Sequence, residues 1–121
     1  MLTTPLKGRF LPLTALVIAA GMASPTLAAA QDAAQIKHGQ EVYAAQKCQQ
    51  CHSIAGKGKK QNPLDGVGKK LSADEIKQWI VDPVAMAKKV ESKKKPPMQN
   101  KYSKLPAADI DALVAYMASL K

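Results

Sequence analysis

Arginine is almost absent from this sequence of 121 residues, since Arg9 is the only one. Aromatic residues are also scarce, with one Trp, three Tyr and one Phe. Proteins that bind nucleic acids usually combine arginine-rich basic patches with recognisable binding motifs or stacking aromatics. These shortages therefore argue against a nucleic-acid partner, even though the formal net charge is +9.

Cysteine and histidine are equally rare, with Cys48, Cys51, His38 and His52 the only examples. A structural zinc site takes four such ligands, and no second cysteine pair exists to complete one. A thiol–disulfide redox pair needs a βαβ surround, but no segment alternates convincingly as a strand. A disulfide that closes so short a loop gains little entropically. These three interpretations of the cysteine pair are disfavoured.

The two cysteines form the run Cys48-Gln49-Gln50-Cys51-His52, in which a histidine directly follows the second thiol. This spacing is the signature of covalent c-type haem attachment. Each thiol adds to one vinyl group of the porphyrin, and two intervening residues place both thiols on one turn of backbone. His52 then supplies the proximal ligand of the iron. The motif predicts one haem c, bound covalently through Cys48 and Cys51.

Residues 1–30 have the pattern of a cleavable secretory signal peptide. A positively charged start precedes an apolar stretch over residues 10–22, and three alanines at residues 28–30 suit cleavage. The apolar stretch is short for a membrane span and contains proline and glycine, although an uncleaved anchor is the alternative. Cleavage would leave residues 31–121 as one small domain without a transmembrane span.

Lysine dominates the charge of residues 31–121, where sixteen lysines and nine acidic residues give a formal net charge of +7. Ten of these lysines are grouped at residues 57–60, 69–70, 88–89 and 93–95. One interpretation is a solvated surface that aids solubility. We favour a basic rim that steers acidic protein partners, because the groups flank the haem-binding segments. Weak association with an anionic membrane surface is a further alternative.

The spacing of apolar residues predicts an all-α domain with three main helices and one short helix. Residues 72–75 form a capping box, and an aspartate before Pro83 caps the short helix. Loops are predicted over residues 53–68 and over residues 92–103, where two consecutive prolines exclude regular helix. The predicted helices begin at Asp32, Ser72, Pro83 and Pro106.

The second axial position of the iron has four candidate ligands, which are His38, Met86, Met98 and Met117. Met117 lies on the apolar stripe of the last helix, which favours core packing, and Met86 fits as filler of the short helix. His38 is interpreted as a surface residue of the first helix. Met98 follows two prolines in a loop, and a stiffened loop loses less entropy when it holds a thioether on iron. Met98 is therefore the predicted ligand, together with His52.

Together these features resemble a class I c-type cytochrome, one of the small soluble monohaem electron carriers of mitochondria and bacteria. The resemblance covers most of residues 32–121, and its specific parts are the motif at residues 48–52 and the Pro-Pro-Met98 loop before a final helix. It implies the cytochrome c fold, with helices wrapped around one covalently bound haem. It also implies haem attachment outside the cytoplasm, in agreement with export to the periplasm.

Further site residues follow from this resemblance. The loop of residues 62–68 is similar to the family's loop after the proximal histidine, where the carbonyl of Pro63 would accept a hydrogen bond from the His52 ring. Leu64 would then pack on the haem. Trp79 resembles a haem-facing aromatic whose indole N–H meets a propionate, and plain core packing is the alternative.

A helix crossing also follows from the resemblance. The family crosses its first and last helices through a small residue and aromatics. The corresponding residues here are Gly39 and Tyr43 on the first helix and Leu113 and Tyr116 on the last. A glycine at the crossing would let the two backbones approach closely.

The function implied is that of a periplasmic one-electron carrier, a monomer and not an enzyme, which shuttles electrons between respiratory or dehydrogenase partners. One alternative is a haem c subunit of a larger oxidoreductase, such as one that oxidises sulfur compounds. The other is a haem enzyme or ligand-binding sensor in which Met98 is displaced.

Overall fold

The computed structural model describes the backbone of residues 25–121 and the side chains of residues 32–121. The predicted signal peptide lies largely outside the described residues, so its cleavage stays a prediction. In the described part, two strands of two residues each accompany five helices, which confirms the all-α class. The elements are α1 (Pro25–Ala45), β1 (Ser53–Ile54), β2 (Lys57–Gly58), α2 (Val67–Lys70), α3 (Ala73–Val81), α4 (Pro83–Lys89) and α5 (Ala107–Ser119).

Helices α1 and α5 cross at Gly39, as the family resemblance implies. A Cβ atom on Gly39 would overlap the carbonyl oxygen of Ala112, so only glycine allows the two backbones to come this close. Beside the crossing, the rings of Tyr43 and Tyr116 meet edge to face, with centroids 5.8 Å apart and an interplanar angle of 83°. The crossing brings the first and last helices together behind the candidate site.

The starts of α3 and α4 carry the predicted caps. The Ser72 hydroxyl accepts a hydrogen bond from the backbone N–H of Glu75, and the Glu75 side chain accepts one from the backbone N–H of Ser72. At α4 the Asp82 side chain accepts from the backbone N–H of Ala85, and Pro83 occupies the first helical position. Both caps satisfy backbone donors that a helix leaves unpaired at its start.

The apolar core lies where α1, α3 and α5 meet. Val42 contributes from α1, Ile76 and Ile80 from α3, and Leu113 and Met117 from α5. Each of these side chains is buried, at the helical spacing that the sequence shows. No helix of the described part has the length and the apolar character needed to cross a membrane.

Three local features differ from the sequence-based expectation. Helix α1 extends from Pro25 to Ala45 rather than from residue 32 to 47, because the alanine-rich segment before residue 32 favours helix. Helix α2 is a single turn at the end of a predicted loop. The β1–β2 hairpin was not predicted, since two residues a strand are too few to show an alternating pattern.

Candidate haem-binding site

A cavity of about 490 Å³ opens between the Cys48–His52 segment, helices α3 and α5, and the segment of residues 91–101, which we call the Met98 loop. Its size lies in the range of about 300–1,000 Å³ that is usual for small-molecule and cofactor sites. Its wall is largely apolar. Six of the seven predicted site residues line it, namely Cys48, Cys51, His52, Leu64, Trp79 and Met98.

The ring of His52 is oriented by a backbone carbonyl. Its Nδ1 lies 3.1 Å from the carbonyl oxygen of Asn62. A carbonyl oxygen can only accept, so Nδ1 carries the proton and Nε2 keeps a free lone pair. Burial lowers the pKa of His52, an effect that the bond to Asn62 partly opposes. A neutral imidazole with an unprotonated Nε2 is the form that binds a metal.

The acceptor for His52 corrects the prediction that named Pro63, one residue further along the chain. Asn62 is held in place because its side-chain Nδ2 donates to the carbonyl of Cys51 at 3.2 Å. Its own carbonyl also accepts from the backbone N–H of Ser53, at 3.3 Å. Pro63 is exposed and does not line the cavity.

The β1–β2 hairpin clamps the backbone of the cysteine motif. The backbone N–H of Lys59 lies 3.0 Å from the carbonyl oxygens of both Gln49 and His52. Gly58 has a φ of +103°, and a Cβ atom there would overlap the carbonyl oxygen of His52. We call residues 47–64 the His52 wall, because these bonds make the segment a single hydrogen-bonded unit.

Cys48 and Cys51 form no disulfide with each other. Cys48 begins a short 3₁₀ turn that ends at Gln50, and Lys47 enters this turn in a left-handed conformation with φ of 55°. Burial raises the pKa of the Cys48 thiol, whereas Cys51 is exposed. The turn therefore places two unpaired thiols at the edge of the cavity, beside the ring of His52.

The other candidate ligands have different surroundings. Met117 is part of the buried core, as predicted, although it also reaches the cavity wall. Met86 is a buried residue of α4 and does not line the cavity. His38 lies on α1, where its Nε2 is 2.9 Å from a carboxylate oxygen of Asp109. Met98 is half-buried and lines the cavity, so it is the methionine that the loop brings to the site without a role in the core.

One buried polar atom at the cavity has no hydrogen-bond partner within the described residues, and it is the hydroxyl of Tyr43. Burial is the main reason why the pKa of Tyr43 is raised to about 12, so the hydroxyl stays neutral and available as a donor. An apolar cavity with two free thiols, an unprotonated imidazole nitrogen and a thioether fits a porphyrin with its iron.

The sequence matches the cytochrome c family over residues 36–121. The chain belongs to the cytochrome c family. This cytochrome c therefore carries covalently bound haem c, for which Cys48 and Cys51 form the attachment motif, and its family function is haem-based electron transfer. Comparison with curated proteins and with solved structures gave no match.

Sequence reasoning missed the residues that hold the His52 wall together. Asn62 belongs to the loop of residues 62–68 that resembles the family loop after the proximal histidine, but no feature of the sequence marks its carbonyl as the acceptor for His52. Gly58 stands in a lysine-rich stretch that suggests a solvated loop. The signal that could have found the hairpin is the pair of glycines at residues 56 and 58, directly after the motif.

Proposed function

We propose that this cytochrome c is a periplasmic one-electron carrier whose haem iron is held by His52 and Met98. The observation that carries the proposal is that both side chains line one cavity together with Cys48 and Cys51. His52 and Met98 are far apart in the sequence, and the fold brings them to the same space.

Each residue of the site has a defined part in this proposal. Cys48 and Cys51 tether the porphyrin, His52 offers its unprotonated Nε2, and Met98 offers its thioether sulfur. When bound, the haem supplies a one-electron Fe(III)/Fe(II) couple, and Met/His ligation raises its potential. With His52 and Met98 both bound to the iron, no coordination position would remain for a substrate, which supports a carrier rather than an enzyme. Leu64 and Trp79 supply apolar surface to the cavity wall.

The lysines supply the surface for a partner. Lys94 and Lys101 line the cavity mouth, and both are exposed. Within the described residues, Lys77 is the lysine that pairs with a carboxylate, at 2.8 Å from Asp111, so Lys94 and Lys101 have no acidic partner there. A surface of this charge attracts acidic proteins over a distance that salt shortens. We therefore propose acidic redox partners that meet this face in brief encounters.

The ligand pair is tested by replacing two methionines in the same way. Leucine conserves the volume of methionine, so Met98→Leu and Met86→Leu cost little packing. In ferric Met98→Leu we expect loss of the far-red absorption band that reports a methionine–iron bond, together with new binding of carbon monoxide to the ferrous form. Met86→Leu keeps the band, because Met86 lies outside the cavity. A band that survives in Met98→Leu would show that another residue binds the iron.

The carrier role is tested by native gel filtration and by salt. A free carrier elutes from a periplasmic extract as a small monomer, whereas a subunit of a larger oxidoreductase elutes with its complex. Electron transfer to an acidic partner slows as ionic strength rises, because the lysine surface is screened. A rate that does not depend on salt would remove the steering role of the lysines.

A further inference from the structure

The Met98 loop is joined to the rest of the protein by few hydrogen bonds. In the described part of the chain, no backbone–backbone hydrogen bond reaches residues 93–98. A bond from the backbone N–H of Lys94 to the Ser92 hydroxyl, at 3.4 Å, stays within the loop. The two side-chain bonds that link this loop to a helix are both made by Asn100.

The amide of Asn100 is matched at both ends by the start of α4. Its Oδ1 accepts from the backbone N–H of Val84 at 3.2 Å, and its Nδ2 donates to Oδ1 of Asp82 at 3.2 Å. The same Asp82 oxygen caps α4 by accepting from the backbone N–H of Ala85 at 3.1 Å. A backbone N–H can only donate and a carboxylate only accepts, so this arrangement fixes the orientation of the amide.

The start of α4 is a firm anchor for such a link. Pro83 and Met86 are buried in α4, and α4 follows α3 after the single residue Asp82. Helix α3 in turn lines the cavity through Trp79 and Ile80. Asn100 therefore connects a loop with little hydrogen bonding of its own to an element that packs on the core.

We propose that Asn100 is a positioning residue for Met98, which keeps the Met98 loop closed over the cavity through its link to Asp82 and Val84. The proposal rests on the proposed ligation by Met98, because Asn100 is only two residues further along the same loop. Removing the amide breaks both bonds to α4 and leaves the cavity wall intact. The loop then opens more often, and an external ligand reaches the iron more easily.

The haem-loaded protein tests this with imidazole as the competing ligand. Imidazole binds ferric iron only while the methionine is off, so its apparent affinity measures the open fraction of the loop. For Asn100→Ala we expect the affinity to rise roughly fivefold to tenfold, the factor for one or two modest hydrogen bonds. The far-red band is then lost at a lower urea concentration, while the loss of helical circular dichroism shifts less.

Two further variants separate the link from a general effect. Asn100→Asp sets two carboxylates against each other and opens the loop more than Asn100→Ala. Adding Asp82→Asn restores a donor and acceptor pair, so the double variant returns towards the wild type. Ser103→Ala is the matched control, because it removes a 3.4 Å bond to the Asn100 carbonyl and leaves both bonds to α4 in place.

The possible results discriminate between the two proposals. An imidazole affinity of Asn100→Ala within twofold of the wild type overturns the positioning role. Equal shifts in the urea midpoints of the far-red band and of the helical circular dichroism in this variant overturn it as well. Failure of Asp82→Asn to rescue Asn100→Asp overturns the pairing with Asp82. A far-red band that persists in Met98→Leu overturns the ligation itself, whatever the Asn100 variants do.

Discussion

The two sides of the cavity are built differently. On the His52 wall, the hairpin, Asn62 and the backbone N–H of Lys59 bond repeatedly to the segment that carries the cysteines and His52. The Met98 loop is shorter and mostly exposed. Backbone N–H groups of Glu91 and Ser92 tie its start to α4, and among the described residues the side-chain bonds that link its far end to a helix are those of Asn100. The wall is held by backbone bonds along its length, whereas the part of the loop that carries Met98 is held by the amide of Asn100.

This difference assigns different roles to the two sides. A wall with many internal bonds keeps the imidazole and the thiols in place before any group is bound, which lowers the cost of ordering them. A segment with few bonds belongs to the low-stability end of a structure and opens first. We therefore expect ligand exchange at the iron to begin on the Met98 side.

The largest expected effect is on the His52 wall, from Gly58→Ala. The substitution forces a side chain into a left-handed backbone and against the His52 carbonyl oxygen. Left-handed strain and overpacking together predict a loss of roughly 3 kcal/mol in the free energy of unfolding. Urea denaturation of the haem-loaded protein measures it.

Gly56→Ala is the matched control for Gly58. Gly56 also has a positive φ, of +75°, but a Cβ atom there meets nothing within 4 Å. Its cost should be that of backbone strain alone, about 1–2 kcal/mol. Equal losses in the two variants would show that the contact with the motif adds nothing to the wall.

Limited proteolysis compares the two regions directly. Trypsin should cut the haem-loaded protein first after Lys93 or Lys94, because exposed segments with few hydrogen bonds open most often. We expect this cleavage to be at least about tenfold faster than cleavage after the lysines of residues 57–60. Both regions are rich in exposed lysine, so accessibility of the side chain does not bias the result. Mass spectrometry of the first fragments identifies the site. A first cut in the hairpin would reverse the ranking.

A cap outside both regions calibrates the comparison. Ser72→Ala removes the hydroxyl that accepts from the Glu75 backbone, and loss of such a cap costs about 1 kcal/mol. Thermal unfolding should show this loss, while the affinity for imidazole stays unchanged. A changed affinity would mean that global stability, not the local link, controls opening of the Met98 loop.

The bonds to Ser72 also give the cap a pH dependence. They lower the pKa of Glu75 below its ordinary value, with the backbone bond as the largest cause. A lowered folded-state pKa contributes stability above the ordinary value of 4.5, which is lost as pH falls through that region. Ser72→Ala keeps the backbone bond but loses the bond from the Ser72 hydroxyl to the Glu75 carboxylate, so its stability should differ from that of the wild type less at pH 3 than at pH 7. A constant difference would contradict this origin.

The smallest effect at neutral pH is expected from Tyr43→Phe. The variant removes a buried hydroxyl without a partner in the described residues, so unfolding at pH 7 should hardly change. The pKa of Tyr43 is raised to about 12 from 10.0, so the unfolded chain ionises at a lower pH than the folded protein. The free energy of unfolding of the wild type therefore falls as pH rises from 10 towards 12. Urea midpoints should diverge in favour of Tyr43→Phe over that interval. Parallel curves would show that the hydroxyl ionises as readily in the folded protein as in the unfolded chain.

Much of the fold could be predicted because its signals are local. The caps at Ser72 and Asp82 and the apolar spacing of α5 depend on residues a few positions apart, and the structure shows each of them. The crossing at Gly39 required the family resemblance, because a glycine inside a helix does not show by itself what approaches it. The hairpin gave no periodic signal and was missed.

The sequence by itself determined the chemistry of this cytochrome c, because the thiol pair and the adjacent histidine are neighbours along the chain. It also determined where α1, α3, α4 and α5 lie, although not the single turn of α2. Only the tertiary structure decided that the Asn62 carbonyl orients His52, that Gly58 lies against the motif, and that Asn100 reaches α4. These contacts join residues distant in sequence, and a hydrogen bond across such a distance depends on how whole elements pack, which no local pattern encodes.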